Sequence, residues 1–264
     1  LLTTLPAYFI PFKTKVALED IPKYFTYPFH YTPHPLSLLA AKDVQEYLST
    51  QAEWKHNFGL SNEQKGIVIG KMFGVLVVQT QENELGYLAA FSGKLGGSNH
   101  HSRFVPPVYD SLIEGDFVNR GMLMLTNINH EIRLLEAQKT IDSIAKISSL
   151  KIVRKEHSIA LQSKIFEQYH FLNMAGEKKS LIDIFESTLG IKPSSGAGEC
   201  ATPKLLQYAF LNKLKPIAMA EFWWGLSPKS TTWKHAAFYP SCKEKCAPIL
   251  GHMLKGMEVE EKPK

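Results

Sequence analysis

The sequence predicts an α/β protein: helices layered on a sheet, with a helical hairpin inserted into the body. Three observations predict it. Two β-prone apolar runs, "KMFGVLVV" and "LGYLAAF", flank the polar connection "QTQENE". Apolar residues recur at helical spacing in 34–54 and again in 122–173. In the last quarter, helix-like, strand-like and helix-like segments alternate, and a proline stands near the start of each helix.

The elements follow in chain order. Residues 1–33 are rich in proline and aromatics, as in "YFTYPFHYTPHPL", and read as an extended arm lying on the body. The segment 34–54 reads as a helix. Pro35 suits its first turn, and Leu38, Leu39, Ala41, Val44 and Leu48 form its apolar stripe. The hairpin over 70–95 is nearly continuous in apolar residues, which implies a sheet covered on both faces. "GIVIGKM" is not a phosphate loop. Three residues separate its glycines, and Met72 stands where a magnesium-binding hydroxyl belongs.

A long loop, 92–110, gathers Lys94, His100, His101 and Arg103, a candidate phosphate-facing set. Residues 122–173 read as a helical hairpin, with Ile128, Ile132 and Leu135 and then Ile152, Ile159, Ser163, Phe166 and His170 recurring at helical spacing. Lys146, Lys151, Arg154, Lys155 and Lys164 give it a basic cast. A short helix, "LIDIFESTLG", ends at Gly190. The expected division is an arm at 1–33, one α/β domain from 34–112 and 191–256, a helical insertion at 113–190 and a linker at 257–264.

Composition narrows the classes. A net charge of +5 permits an RNA partner (rRNA or tRNA) without requiring one. No apolar run reaches the roughly 18–20 residues that cross a bilayer, so no membrane partner is expected. The start, "LLTTLPAYFIPFKTK", lacks the basic leader of a signal peptide. An odd count of three cysteines argues against a disulfide scaffold and for a reducing, cytoplasmic setting.

Those cysteines carry the most chemistry. Cys200 stands just ahead of a helix that begins near Pro203. Cys242 and Cys246 stand ahead of one that begins near Pro248. Helix N-termini offer free N–H groups and the positive end of a dipole, which favour thiolate. Three thiolates plus a fourth ligand suit Zn2+, with His235 or His252 as the fourth. Two other readings stay open: three buried small residues, or Cys200 as a nucleophile. Trp223 and Trp224, at the end of "KPIAMAEFWWG", either stack a base or pack in the core.

Two resemblances follow. The order helix, β-hairpin, Cys-opened helix, strand, Pro-x-Cys-x3-Cys helix entry resembles the cytidine-deaminase-like three-layer fold. That resemblance implies zinc on Cys200, Cys242 and Cys246 and a glutamate that shuttles protons. The deaminase glutamate follows its ligand by two. Thr202 holds that position here, and Glu199 instead precedes Cys200. The segments "YPFHYTPHPLSLLAAKDVQEYL", "FVPPVYD", "SGAGECATPKLLQYAFLNKLKPIAMAEFWWG" and "FYPSCKEKCAPILGHMLKGMEVE" resemble the N-terminal region of bacterial RluA-type RNA pseudouridine synthases. This implies an accessory, RNA-binding role beside a C-terminal synthase domain. Lys94, His100, His101, Arg103, Arg154, Lys155, Trp223 and Trp224 are the candidate RNA contacts. The catalytic His-Arg-Leu-Asp motif of that family does not occur in this chain.

Overall fold

The computed structural model describes residues 5–30, 32–61, 65–113 and 115–262. It divides into two compact units, one of 1–108 with 170–264 and one of 109–169.

The body is built on a five-stranded antiparallel sheet of order β1-β3-β2-β6-β7. Its strands are β1 (Ile10–Pro11), β2 (Lys71–Gln79), β3 (Leu85–Phe91), β6 (Lys215–Trp224) and β7 (Phe238–Tyr239). The β2–β3 turn lies where the polar connection predicts it. The Thr80 N–H donates to the Glu84 carbonyl, and Asn83 takes the left-handed conformation. Helix α1 (Pro35–Thr50) starts at His34, whose Nδ1 accepts from the Leu36 N–H, with Pro35 as its first residue. It lays Leu36, Ala40, Ala41, Val44 and Leu48 on one sheet face, among Phe73, Val75, Tyr87, Phe91 and Phe222. Leu38 and Leu39, expected in that stripe, face solvent. Helices α5 (Ala201–Leu211) and α6 (Lys243–Met253) belong to the other side, where α5 packs on β2, β3 and β6. Six consecutive residues of β2, Phe73 to Val78, are buried, as a sheet covered on both faces requires.

The arm joins the sheet through β1, which pairs Ile10 with Tyr87. Chain 257–262 is held rather than free. The Phe25 N–H donates to Glu258, and the Glu260 N–H donates back to Phe25, both at 2.8 Å. Residues 170–190, expected within the insertion, fold with the body. They form the ribbon β4 (His170–Leu172) and β5 (Lys178–Ser180) and the short helix α4 (Leu181–Leu189), which packs on α6.

The second unit is the helical hairpin, α2 (Phe117–Gln138) and α3 (Ile141–Gln168). It turns at Lys139, which is left-handed, and Thr140, whose hydroxyl caps α3 at Ser143. The antiparallel pairing is flanked by Lys146–Glu131 and Lys151–Glu136 ion pairs, at 2.9 and 3.2 Å. Gly121 permits the close approach: a Cβ there would stand 2.6 Å from Leu161. Ile152 and Ile159, which recur at helical spacing, are exposed. The basic cast also cancels. Residues 109–169 contain eight Lys and Arg against eight Asp and Glu, so the net positive charge resides in the body.

Arm, helix, sheet and loop meet at Asp43. Its carboxylate accepts from Lys13 at 2.7 Å, from Arg103 at 2.6 Å and from the Tyr87 hydroxyl. Burial pushes the Asp43 carboxyl up, but these three donors and the Arg103 charge outweigh it and bring the pKa to about 2. A depressed carboxyl adds stability above its unfolded pKa and loses it as pH falls through the folded one. Asp43→Asn is therefore expected to destabilise the protein by about 2 kcal/mol at pH 7. In urea unfolding measured across pH, the gap to wild type should close between about pH 4 and pH 2.

Candidate metal centre

The two helix starts that carry the cysteines converge. Cys200 is the N-cap of α5 and Cys242 the N-cap of α6; neither helix start has a capping bond from its own N-cap side chain. Cys246 lies one turn into α6. The Cys242 and Cys246 sulfurs are 3.3 Å apart and those of Cys200 and Cys242 are 4.0 Å apart. All three lie within 4.8 Å of one another, a group that can hold a metal ion. Cys246 is buried, Cys200 half-buried and Cys242 exposed, so the cluster opens to solvent on the Cys242 side.

Helix α6 begins earlier than the proline suggests. Pro248 is its sixth residue rather than part of its first turn, which brings Cys246 inside the helix, four residues beyond Cys242. That spacing sets both sulfurs on one face of the first turn. On α5 the constraint is Gly74 of β2. A Cβ on Gly74 would stand 2.9 Å from the Ala201 Cβ, so a side chain there would push the start of α5 off the sheet.

The thiols titrate as a set. Hydrogen bonds from Cys200 and Cys246, then the N–H groups of Lys245 and Cys246, hold the Cys242 thiol far below its usual range. Contact with Cys242, together with burial, raises Cys200; contacts with Cys200 and then Cys242, together with burial, raise Cys246. Binding of a cation by the three sulfurs displaces their protons.

Beneath the cysteines lies a residue that the motif reading passes over. Glu221 of β6 is 3% exposed. Its Oε2 accepts from the Ser241 hydroxyl at 2.8 Å, and the Thr202 hydroxyl is 3.2 Å from that of Ser241. Burial pushes the Glu221 carboxyl up to about 7. The nearby Cys242 adds to this, against the opposing donors of Ser241 and Thr202, including the Thr202 backbone N–H. The available sequence signal was a lone acid in "IAMAEFWW". An acid in a strand buried on both faces must find partners inside.

A second buried charge, Lys204, lies one helical turn beyond Cys200. Its ammonium donates to the Phe91 and Gly93 carbonyls at 3.0 and 3.2 Å and lies 5.1 Å from the Phe91 ring centroid. Burial lowers its pKa to about 8, while the charges of Glu199 and Cys200 act to keep it protonated. Glu199, the expected proton shuttle, is half-buried. Its carboxylate lies 3.8 Å from where a Gly93 Cβ would stand, with the Lys71 ammonium at 3.9 Å from the same point.

The other expected site residues fall elsewhere. His235 is not a ligand of this cluster. Its Nδ1 accepts from the Gly225 N–H at 3.1 Å, and its ring packs on Trp224. The register explains this. Glu221 pairs with Tyr239, so His235 lies opposite Gly225, four residues or about 13 Å along the strand from Glu221. His252, in the last turn of α6, is bonded to the Phe171 carbonyl at 3.0 Å. Trp224 is core, and Trp223 stacks on Trp233 at 5.5 Å. Arg103 is engaged by Asp43, and His101 by the Leu95 carbonyl at 2.8 Å. Arg154 donates to Asn129 within the hairpin. Lys94, His100 and Lys155 are exposed at the surface, and His100 is not in the cysteine group.

No protein-family model, curated protein or solved structure matches the chain. No helix among the described residues is long and apolar enough to cross a membrane.

Glu221 sets a pH dependence for the metal-free protein. A carboxyl raised above its unfolded value near 4.5 stabilises while protonated, and that stability is lost as pH rises through about 7. Glu221→Gln keeps the neutral form at all pH. Relative to wild type, it should gain about 3 kcal/mol between pH 4.5 and pH 8 in chelator-treated protein, read by urea unfolding.

Proposed function

We propose that this protein is a zinc-dependent hydrolase of the deaminase-like class, with Cys200, Cys242 and Cys246 as its zinc ligands. The observation that carries the reading is the donor set. Three thiols converge at two helix starts, and no fourth His, Cys, Asp or Glu joins them among the described residues. Three protein ligands and an open position are the pattern of catalytic rather than structural zinc. The exposed face of Cys242 gives that position access to solvent. The element order supports the same class: α1, the β2–β3 hairpin, a Cys-capped helix, a strand antiparallel to β2, then a Cys-capped helix.

Bound there, zinc supplies a Lewis acid that activates water or polarises a substrate oxygen. The chain's own residues do the rest. The N–H groups at the start of α6 stabilise the Cys242 thiolate. Lys204 sets a positive charge behind Cys200, against the net negative charge of three thiolates on a divalent ion. Glu199, beside Lys71, is the carboxylate we assign to proton transfer, in place of one two residues after the ligand.

A second reading has one observation in its favour. The segments that resemble RluA-type synthases, 195–225 and 238–260, are the ones that build the cysteine cluster and the Glu221 strand. On this reading the zinc is structural and the domain holds RNA for a C-terminal synthase domain. The phosphate contacts then come from the body, where the excess charge lies.

Protein purified without a metal-affinity column should contain about one zinc per chain by plasma mass spectrometry, and Cys242→Ser should lose it. Replacing zinc with Co2+ should give thiolate-to-cobalt absorption that shifts on adding cyanide or imidazole, the signature of an open fourth position. An unshifted, tetrahedral spectrum rejects the hydrolase in favour of the structural zinc. With an amino-heterocycle panel, Glu199→Gln should reduce ammonia release by about 10²–10⁴-fold.

A further inference from the structure

Most groups outside the centre are already accounted for. The groove beside Trp54 and His56 borders residues that lie outside the described set, and the exposed isoleucines of α3 have nothing to say what covers them. The buried triad under the cysteines is different, because its connections run to the ligands themselves.

We propose that Glu221 is the positioning residue of the metal centre: it fastens the starts of α5 and α6 together so that three sulfurs on two helices reach one ion. The inference rests on the reading of the cysteines as metal ligands. Thr202 is the second residue of α5, two after Cys200. Its N–H is one of the orphan donors of a helix start, and Cys200 offers it no cap. Glu221 supplies the missing acceptor from a different element, and the Thr202 hydroxyl joins it. Ser241 immediately precedes Cys242, and its hydroxyl donates to the same carboxyl at 2.8 Å. One side chain on β6 therefore ends two hydrogen-bond paths, each within two residues of a ligand on a separate helix. Thr202, Ser241 and Glu221 are all buried, so water cannot take over these bonds cheaply.

Position on the strand fits the role. Glu221 pairs with Gly74 of β2, the glycine that admits Ala201 against the sheet. A Cβ on Gly74 would also stand 3.6 Å from Glu221 Cγ. The two paired residues thus fix the height and the tether of the α5 start. On the neighbouring strand, Tyr239 of β7 pairs with Glu221 and leads through Pro240 to Ser241. The bonds from Ser241 and Thr202 come from hydroxyls and a backbone N–H, which a neutral carboxyl or an amide also satisfies. The role is geometric rather than one of charge, and this gives the test its sharpest arm.

The experiment measures Zn2+ and Co2+ affinity of the full chain by competition with a chromophoric chelator, together with the Co2+ absorption spectrum. Wild type is compared with Glu221→Gln, Glu221→Ala and Ser241→Ala. Glu221→Gln should bind within about threefold of wild type and keep the cobalt bands. Glu221→Ala should bind about 10–100-fold more weakly, with bands moved by the altered sulfur geometry. Should Glu221→Ala fail to fold, Ser241→Ala removes a single hydroxyl and should weaken binding about tenfold. Unchanged affinity and spectrum in the Ala variants overturns the proposal while leaving the metal centre intact. Loss of binding in Glu221→Gln equal to that in Glu221→Ala overturns it too, because charge would then be the operative property. Wild type that takes up neither metal overturns both this and the centre itself.

Discussion

The fold turns on the contact between the start of α5 and the middle of the sheet. Gly74 has no side chain, so Ala201 rests against β2, with Cys200 as the N-cap immediately before it. Any larger residue at 74 lifts the helix. The consequence reaches beyond packing. With α5 pressed down, its second residue, Thr202, comes within reach of Glu221, and Glu221 reaches Ser241 at the mouth of α6. The convergence of the three sulfurs follows from that one close approach. It does not arise from a local Cys motif, because the ligands come from positions 42 residues apart.

A buried carboxyl is costly unless bonded, and natural cores exclude most of them. Glu221 is tolerated because two hydroxyls and a backbone N–H meet it, and because it sits beside a cluster whose charge further favours its neutral form. Lys204 is the complementary case. Two carbonyls at the end of β3 and the Phe91 ring hold its ammonium under Cys200. The layer under the cysteines is thus polar but connected, between two apolar regions: the aromatic core under α1 and the Leu205, Leu206 and Ala209 surface of α5. Such a layer destabilises the protein if any one member is removed, and it gives the ligands fixed geometry.

What the sequence disclosed was local. The β2–β3 hairpin was legible because two apolar runs and a polar turn lie within about 20 residues. Helix α1 was legible because His34-Pro35 starts it. The pairing of helix starts with cysteines was legible at Cys200. It was blurred at Cys242, because Pro248 read as a first-turn residue when it lies inside α6. The ring of His235 was placed wrongly for a reason that spacing cannot reveal: the register of β7 against β6 sends it past Trp224. Arg103 and His101 looked like an exposed basic loop, but Asp43 and the Leu95 carbonyl take them as structural partners. Both errors come from assigning function to polar residues before their long-range partners were known.

Glu221 shows the opposite failure, a functional residue hidden by its setting. In the string "IAMAEFWW" it is one acid among apolar residues, and local pattern gives it no role. Its partners are 19 residues before it and 20 after it, on two helix starts. The informative fact is that β6 is buried along both faces, so that an acid there has to be answered from within. Once β6 is known to be central, the question becomes which donors answer it. The donors come from the segments that enter α5 and α6, which are the segments that carry the cysteines. The mid-strand acid and the cysteine spacing are therefore two traces of one constraint: a cluster drawn from distant parts of the chain needs a buried group that belongs to neither helix.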